Sequence, residues 1–304
     1  MSTNGNLFNP QKVKLGITPT LWWNDDFPLM DIGIPFEQCV SEMALAGFHG
    51  CSIGHKYPTE PSVLERELKL RGLSVTEPWV STYFTIKSMR QQTVETFIKQ
   101  MQFIKQMGAT DMVVAEFGQA VNPLPVAVFA NRPIFTSEQW RDLLEGLNEL
   151  GAMANDNGLH LCYHPHMGTG VMIQEDVDRL MQNTDPARVH LLLDTGHLAF
   201  AGANPLEVTV QYGPRIKHIH LKDVRSKVVK RVRDEGLSFQ QAIEAGVFTV
   251  PGDGDIDFPP IFRALDEAGF QGWLVVEAEQ DPAKANPLEY ASMARTYLRK
   301  ELGW

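Results

Sequence analysis

The stretch Val189-His190-Leu191-Leu192-Leu193-Asp194, followed at once by Thr195-Gly196-His197, is an apolar run that ends on a carboxylate. Three consecutive leucines bounded by turn-forming residues are consistent with a strand buried on both faces. The same pattern recurs along the chain. Met112-Val113-Val114-Ala115 closes on Glu116, Leu161-Cys162-Tyr163 on His164, and Leu274-Val275-Val276 on Glu277. In all, eight apolar runs are read as strands, at 13–18, 50–54, 74–80, 111–116, 159–164, 189–194, 217–222 and 273–277.

Helical patterns fill the intervals, most clearly at 36–46, 62–71, 94–107, 137–155 and 260–268, and a last one covers 288–302. Gly47, Gly72, Gly108 and Gly158 stand where helix ends call for a left-handed residue. Thr136-Ser137-Glu138-Gln139 supplies an N-terminal cap for the long amphipathic run behind it. Strands alternating with helices predict a parallel sheet with crossover helices. Eight such units in 304 residues fit a single-domain (β/α)8 barrel spanning 1–304, with long loops after strands four and seven. No GxGxxG follows the first strand, which weighs against a dinucleotide-binding sheet.

Composition narrows the function. Charged residues make up 21% of the chain and hydrophobic ones 43%, which suits a globular core. A net charge of −10 argues against nucleic acid as a partner. No apolar run approaches the roughly 18 residues of a membrane span, and Met1–Pro10 lacks a signal-peptide core. Cys39, Cys51 and Cys162 are widely spaced, so reduced thiols and a cytoplasmic location are expected. Self-association as a homo-oligomer is compatible with all of this.

In a parallel barrel the strand ends share one rim, so distant polar residues converge. Those ends carry Glu116; His164 and His166; Asp194 and His197; His218, His220, Lys222 and Asp223; and Glu277 and Glu279. Each alone is as readily a helix cap, an ion-pair partner or a structural histidine. Together they are a buried charge cluster that a divalent cation would neutralise. Two imidazoles and two carboxylates suit Mn²⁺, Co²⁺, Fe²⁺ or Zn²⁺ better than Mg²⁺ or Ca²⁺. Residues two apart on a strand face the same way, so the ligand could be either member of His164/His166 and of His218/His220.

Loops add further candidates: Trp22-Trp23-Asn24-Asp25-Asp26 after strand one and His55-Lys56-Tyr57-Pro58 after strand two. Rim tryptophans can stack on sugar-like rings or simply pack under a loop. The basic stretch Arg225–Arg233 can grip an anion or be a solvated helix face. Pro251-Gly252-Asp253-Gly254 is neither a P-loop nor an EF-hand and reads as a turn.

The motifs Leu193-Asp194-Thr195-Gly196-His197, His218-Ile219-His220-Leu221-Lys222-Asp223, Pro251-Gly252-Asp253-Gly254 and Val276-Glu277 resemble the xylose-isomerase-like TIM-barrel superfamily. That group includes sugar isomerases, ketose epimerases and dehydratases. Narrower stretches, among them Lys56-Tyr57-Pro58, Tyr163-His164-Pro165-His166-Met167-Gly168-Thr169, Lys222-Asp223-Val224-Arg225 and Glu277-Ala278-Glu279-Gln280-Asp281-Pro282, resemble a dehydratase branch. The resemblance implies a metal set of His164, Asp194, His220 and Glu277, with His164 standing where many members carry Glu. It implies Mn²⁺ or Co²⁺ as cofactor and a small cyclic polyol ketone as substrate. Trp23, His55 and Pro165 depart from the usual pattern.

The implied chemistry is loss of water through a metal-stabilised enolate. The acid–base candidates are His197, Lys56, Lys222 and Glu279, with His197 foremost because an imidazole titrates near neutrality. Trp22, Asn24, His55, Glu116, His166 and Arg225 are the substrate-binding candidates. A ketose epimerase or isomerase would share the metal and the enolate. A repair endonuclease would want a richer histidine set and a basic face.

Overall fold

A computed structural model describes residues 7–24 and 27–304. Its elements run β1 (Val13–Ile17), α1 (Phe36–Ala46), β2 (Gly50–Cys51), α2 (Pro61–Lys69), β3 (Ser74–Val75), β4 (Trp79–Thr82), α3 (Arg90–Gln106), β5 (Asp111–Glu116), α4 (Ser137–Asp156), β6 (His160–Tyr163) and α5 (Gln174–Gln182). They continue β7 (Val189–Asp194), α6 (Thr195–Ala201), α7 (Pro205–Tyr212), β8 (Ile216–Leu221), β9 (Asp223–Val224), α8 (Ser226–Glu235), α9 (Phe239–Glu244), β10 (Phe248–Thr249), α10 (Phe258–Glu267), β11 (Gly272–Val276) and α11 (Pro287–Leu302).

Nine segments form one parallel sheet in the order β3-β2-β1-β11-β8-β7-β6-β5-β4. Its outermost members, β3 and β4, are two halves of one strand path, so the sheet curls into a (β/α)8 barrel. The expected strand 74–80 is thus broken. Pro78 has no N–H to give a neighbouring strand, and the ladder turns irregular over Thr76-Glu77-Pro78, although Thr76 N still donates to the Cys51 carbonyl and Ile53 N to that of Glu77. The expected strand 50–54 shrinks to two residues for pairing purposes.

Apolar faces of the helices cover the barrel. In α4, Trp140, Leu143, Leu147, Leu150 and Ala154 are buried, at the spacing that puts them on one face. Its N-terminus is closed by a capping box: Gln139 N donates to Thr136 Oγ1, and Thr136 N donates to the Gln139 side chain. The glycines at 47, 72, 108 and 158 all have positive φ, as their places after helices require. Helices α5, α6, α7 and α9 are additions to the sequence reading.

The loop after β5 has no helix or strand over 117–135. The one after β8 holds the antiparallel pair β9/β10 with α8 and α9 between them. Among the described residues no helix is long and apolar enough to cross a membrane.

Candidate active site

β7 ends on Asp194, whose side chain starts the next helix: Oδ1 accepts from His197 N at 2.7 Å and caps α6. That bond turns the second oxygen, Oδ2, toward the barrel mouth. There it meets His164 Nε2 at 3.4 Å, His220 Nδ1 at 3.7 Å and Lys222 Nζ at 3.4 Å. Glu277 Oε2, from the end of β11, lies 2.8 Å from His220 Nδ1 and 3.0 Å from Lys222 Nζ. One ligand atom from each of His164, Asp194, His220 and Glu277 fits within 4.8 Å of all the others.

The donor set fits a divalent cation on two counts. Asp194 Oδ2, His220 Nδ1 and Glu277 Oε2 are buried and close, yet none makes a hydrogen bond. The His164 Nδ1 lies 2.8 Å from the carbonyl of Pro165, which can only accept, so Nδ1 carries the hydrogen. His164 Nε2 is left with its lone pair toward Asp194, as a ligand requires.

A second group stands beside the first. His197 Nε2 is 3.5 Å from Glu279 Oε2, and His166 Nε2 is 3.9 Å from Glu279 Oε1. The His166 and His197 rings lie 3.9 Å apart, centroid to centroid. His197 Nδ1 accepts from Met167 N at 3.2 Å, so its neutral ring carries hydrogen on Nε2. This group therefore lacks the lone pair on His197 Nε2 that a second metal would need, while its imidazoles and carboxylate can exchange protons. His164, rather than His166, brings a ring nitrogen within 4.8 Å of the candidate ligand atoms of Asp194, His220 and Glu277.

Lys222 ties the two groups together. It is wholly buried, and its Nζ lies 2.7 Å from Glu279 Oε2. Its stem passes Gly196, where a Cβ would fall 2.4 Å from Lys222 Cγ, so only glycine leaves it room. Burial works against its charge, but Asp194, Glu277 and Glu279 outweigh burial and hold the ammonium protonated. Asp194, which burial would raise, is instead held well below the usual carboxylate range, chiefly by Lys222. Burial pushes His166 and His197 well below the usual histidine value; His197, His164 and Lys222 add to it for His166, and Lys222 and His164 for His197.

The cavity above these groups is lined by Thr18, Asn24, Ser52, Trp79, His166 and Glu279, with His220 and Glu277 also reaching it. Val113 contributes to its lining from inside the barrel. His55 lines an adjoining pocket that shares Ile53, Pro78 and Trp79 with the first.

Four candidates are engaged elsewhere. Trp22 is buried and donates to Glu42 Oε2 at 2.6 Å. Lys56 is paired with Asp31 at 2.6 Å, donates to the Ile34 carbonyl, and sits over the Trp23 ring. Glu116 is enclosed by the hydroxyls of Thr82 and Thr85 and the amides of Phe84 and Thr85. Arg225 holds the loop after β8 through the carbonyl of Gly246, Thr249 and Asp253. Their polar ends are satisfied within the scaffold, and none of the four lines the cavity described above. Asp25 and Asp26 lie outside the described residues.

The basic run 225–233 is a mostly exposed helix with pairs such as Arg231–Glu235 on its surface. In the Gly-rich turn, the amides of Gly252, Gly254 and Ile256 donate to the Asp223 carboxylate, so that turn is held by the barrel and carries no phosphate-binding loop.

Two residues escaped the sequence reading. Trp79, rather than Trp22 or Trp23, brings an aromatic ring to the cavity, with His164 and His166 at 5.5 and 5.7 Å. Glu77, at the break in the third strand, reaches His220 Nε2 at 3.2 Å from inside the barrel. A proline two residues inside an apolar run was the available signal for that break.

The family profile described as "Xylose isomerase-like TIM barrel" matches residues 40–301. The chain belongs to that family. Within the xylose isomerase-like TIM barrels, inosose dehydratase of Geobacillus thermodenitrificans is 52% identical over 298 residues, 98% of this chain and 100% of the relative. Inosose dehydratase of Clostridium tetani is 49% identical over 296 residues, 97% and 99% of the two chains. Relatives this similar over their whole length are hydro-lyases, and this member of the family is an enzyme of that class.

Solved structures share the fold at low identity. A protein described as "IOLI protein with a binding zinc atom" superposes with a TM-score of 0.70 at 17% identity, over 95% of this chain and 98% of that one. The probable 3-DHS dehydratase AsbF of Bacillus anthracis gives 0.70 at 16%, over 94% and 98%.

Proposed function

We propose that this enzyme removes water from scyllo-inosose (2-keto-myo-inositol), a cyclic polyhydroxy ketone, to give a trihydroxycyclohexane-1,2-dione. The observation that carries the reading is the adjacency of two groups at one cavity. His164, Asp194, His220 and Glu277 offer a cation-binding set. His166, His197, Lys222 and Glu279 form a proton-handling set whose members His166 and Glu279 reach the cavity wall. The names and full-length similarity of the relatives support the choice of substrate.

His164, Asp194, His220 and Glu277 would hold Mn²⁺ or Co²⁺. Bound there, the cation supplies Lewis-acid polarisation of a ketone, which acidifies the neighbouring C–H and favours the enolate. The protein's own groups do the rest. Glu279 and His166 are the proton-transfer pair at the wall. One accepts the proton from the α-carbon, and the other returns one to the hydroxyl leaving the β-carbon, so that one water is released per enol formed. The enol then tautomerises to the dione. Behind Glu279, Lys222 Nζ donates to Oε2 and fixes its position, with His197 Nε2–H 3.5 Å from the same oxygen. Trp79 offers a face to the ring, and Asn24, Thr18 and Ser52 offer polar groups to its hydroxyls. Three buried thiols, Cys39, Cys51 and Cys162, suit a reducing cytoplasm.

Incubating the enzyme with scyllo-inosose and Mn²⁺ or Co²⁺ should generate dione absorbance, and chelation should abolish it until the metal is restored. Return of only deuterium-labelled, undehydrated ketone from deuterated water would turn the reading to an epimerase.

A further inference from the structure

A line of buried acids and imidazoles descends through the barrel beneath the candidate ligands. His220 Nε2 is 3.2 Å from Glu77 Oε1. Glu77 Oε2 is 3.0 Å from His218 Nε2, and His218 Nδ1 is 2.9 Å from Asp111 Oδ2. Asp111 Oδ1 ends the line on His160 Nδ1, also at 2.9 Å, at the opposite mouth of the barrel, where His160 is partly exposed. Glu77, Asp111, His218 and His220 are all buried. None but His220 belongs to the sets described above.

A carboxylate only accepts, so a hydrogen of His220 sits on Nε2, facing Glu77. Its Nδ1 lies 2.8 Å from Glu277, another acceptor, so a cation bound here would take the place of a proton on Nδ1 and use its lone pair. A metal-binding imidazole is normally held in this way by an outer carboxylate that fixes its tautomer and its tilt. Glu77 can do this only if it is itself held. The irregular ladder at Thr76-Glu77-Pro78 lets its side chain turn inward, and His218, braced by Asp111, holds its other oxygen as an ion pair at 3.0 Å, outside hydrogen-bond geometry.

We propose that Glu77 is a positioning residue for the cation site: clamped by His218 and Asp111, it orients His220 so that Nδ1 is the atom offered to the cation. This rests on the ligand set proposed above.

The test uses Co²⁺, whose visible absorption reports ligand geometry, with Co²⁺ affinity measured by calorimetry on the full chain. Glu77→Ala removes the acceptor. Glu77→Asp keeps the charge in the core, and hence the fold, but withdraws the carboxylate by one methylene. Glu77→Gln keeps an acceptor oxygen for His220 and an amide for a neutral His218. Glu77→Ala and Glu77→Asp should weaken Co²⁺ binding about 10–100-fold and alter its spectrum. Glu77→Gln should stay within roughly threefold of the parent, with the parent's spectrum. Should Glu77→Ala fail to fold, Glu77→Asp against Glu77→Gln decides. Unchanged affinity and spectrum in Glu77→Asp, or a loss in Glu77→Gln as large as in Glu77→Asp, would overturn the proposal alone. Absence of Co²⁺ binding by the parent enzyme would overturn the ligand set and this inference with it.

Discussion

Replacing Lys222 by Met tests the electrostatics of the whole site, because Met keeps the apolar stem and deletes the charge. The stem has a fixed course past Gly196 and over the Phe248 ring. The ammonium lies within 3.4 Å of Asp194, Glu277 and Glu279, and it is wholly buried. Its removal leaves three buried carboxylates with histidines as their nearest counter-charges. Breaking a buried ion pair by deleting one partner costs about 3–5 kcal/mol. With about 2.1 cal/mol/K of unfolding entropy per residue, that loss lowers the Tm of a 304-residue chain by about 5–8 °C. Saturating Co²⁺ or Mn²⁺ would place a new positive charge beside Asp194 and Glu277, so most of the loss should be regained. Calorimetric scans of metal-free and metal-saturated Lys222→Met against the parent provide the measurement. A metal-free Tm within 1 °C of the parent's, or a deficit that excess metal leaves unchanged, would refute the reasoning.

Three further outcomes are expected. Glu279→Gln should retain bound metal, by elemental analysis, while kcat falls about 10²–10⁴-fold, the usual worth of a positioned acid–base group; normal turnover would remove Glu279 from that role. His190 is depressed to about 4, by burial first and then by His160 and other cations. The native state therefore takes up its proton later than the unfolded chain, and stability drains as pH falls from about 6.5 toward 4. His190→Asn should flatten that acid limb by about 1–2 kcal/mol in urea titrations, and an unaltered limb would count against it. Thr136→Ala should remove the α4 capping box and cost about 1 kcal/mol with kcat unchanged, whereas a change in kcat would tie that helix end to the site.

The barrel was legible because its strand ends repeat one pattern. Leu193-Asp194, Val276-Glu277 and Tyr163-His164 each couple an apolar run to a polar terminus, and the closure of the sheet brings those termini together. Choices between near neighbours were not legible. His164 and His166 are equivalent in spacing, and each has its Nδ1 beside the carbonyl of the next residue; what separates them is that His164 Nε2 faces Asp194 while His166 Nε2 faces Glu279. Lys56 and Glu116 have the chemistry of site residues, but Asp31 engages one and Thr82 and Thr85 the other. Glu77 was hidden for the opposite reason. In a run taken for one continuous strand, a lone acid beside proline reads as a blemish, and only the three-dimensional path shows that it turns inward. His197, the foremost acid–base candidate on position alone, stands one residue back from the cavity wall, behind Glu279.

The uneven stitching of the barrel has a mechanical consequence. β5, β6, β7, β8 and β11 are joined by three to four residue pairs at each boundary, and all four candidate ligands lie at the ends of strands in this arc. On the other side, β2 is held to β1 and to β3 by two pairs each. The wall residues Ser52, Ile53, Pro78 and Trp79 sit just past those short seams. Fewer backbone bonds mean a lower free energy of local opening. The ligand-bearing arc is thus the stiffer mount, and the short β2/β3 segment, set between the five pairs of β1–β11 and the four of β4–β5, is the more compliant stretch of wall beside the cavity. Amide exchange should run faster over 50–54 and 74–79 than over 189–194 and 216–221.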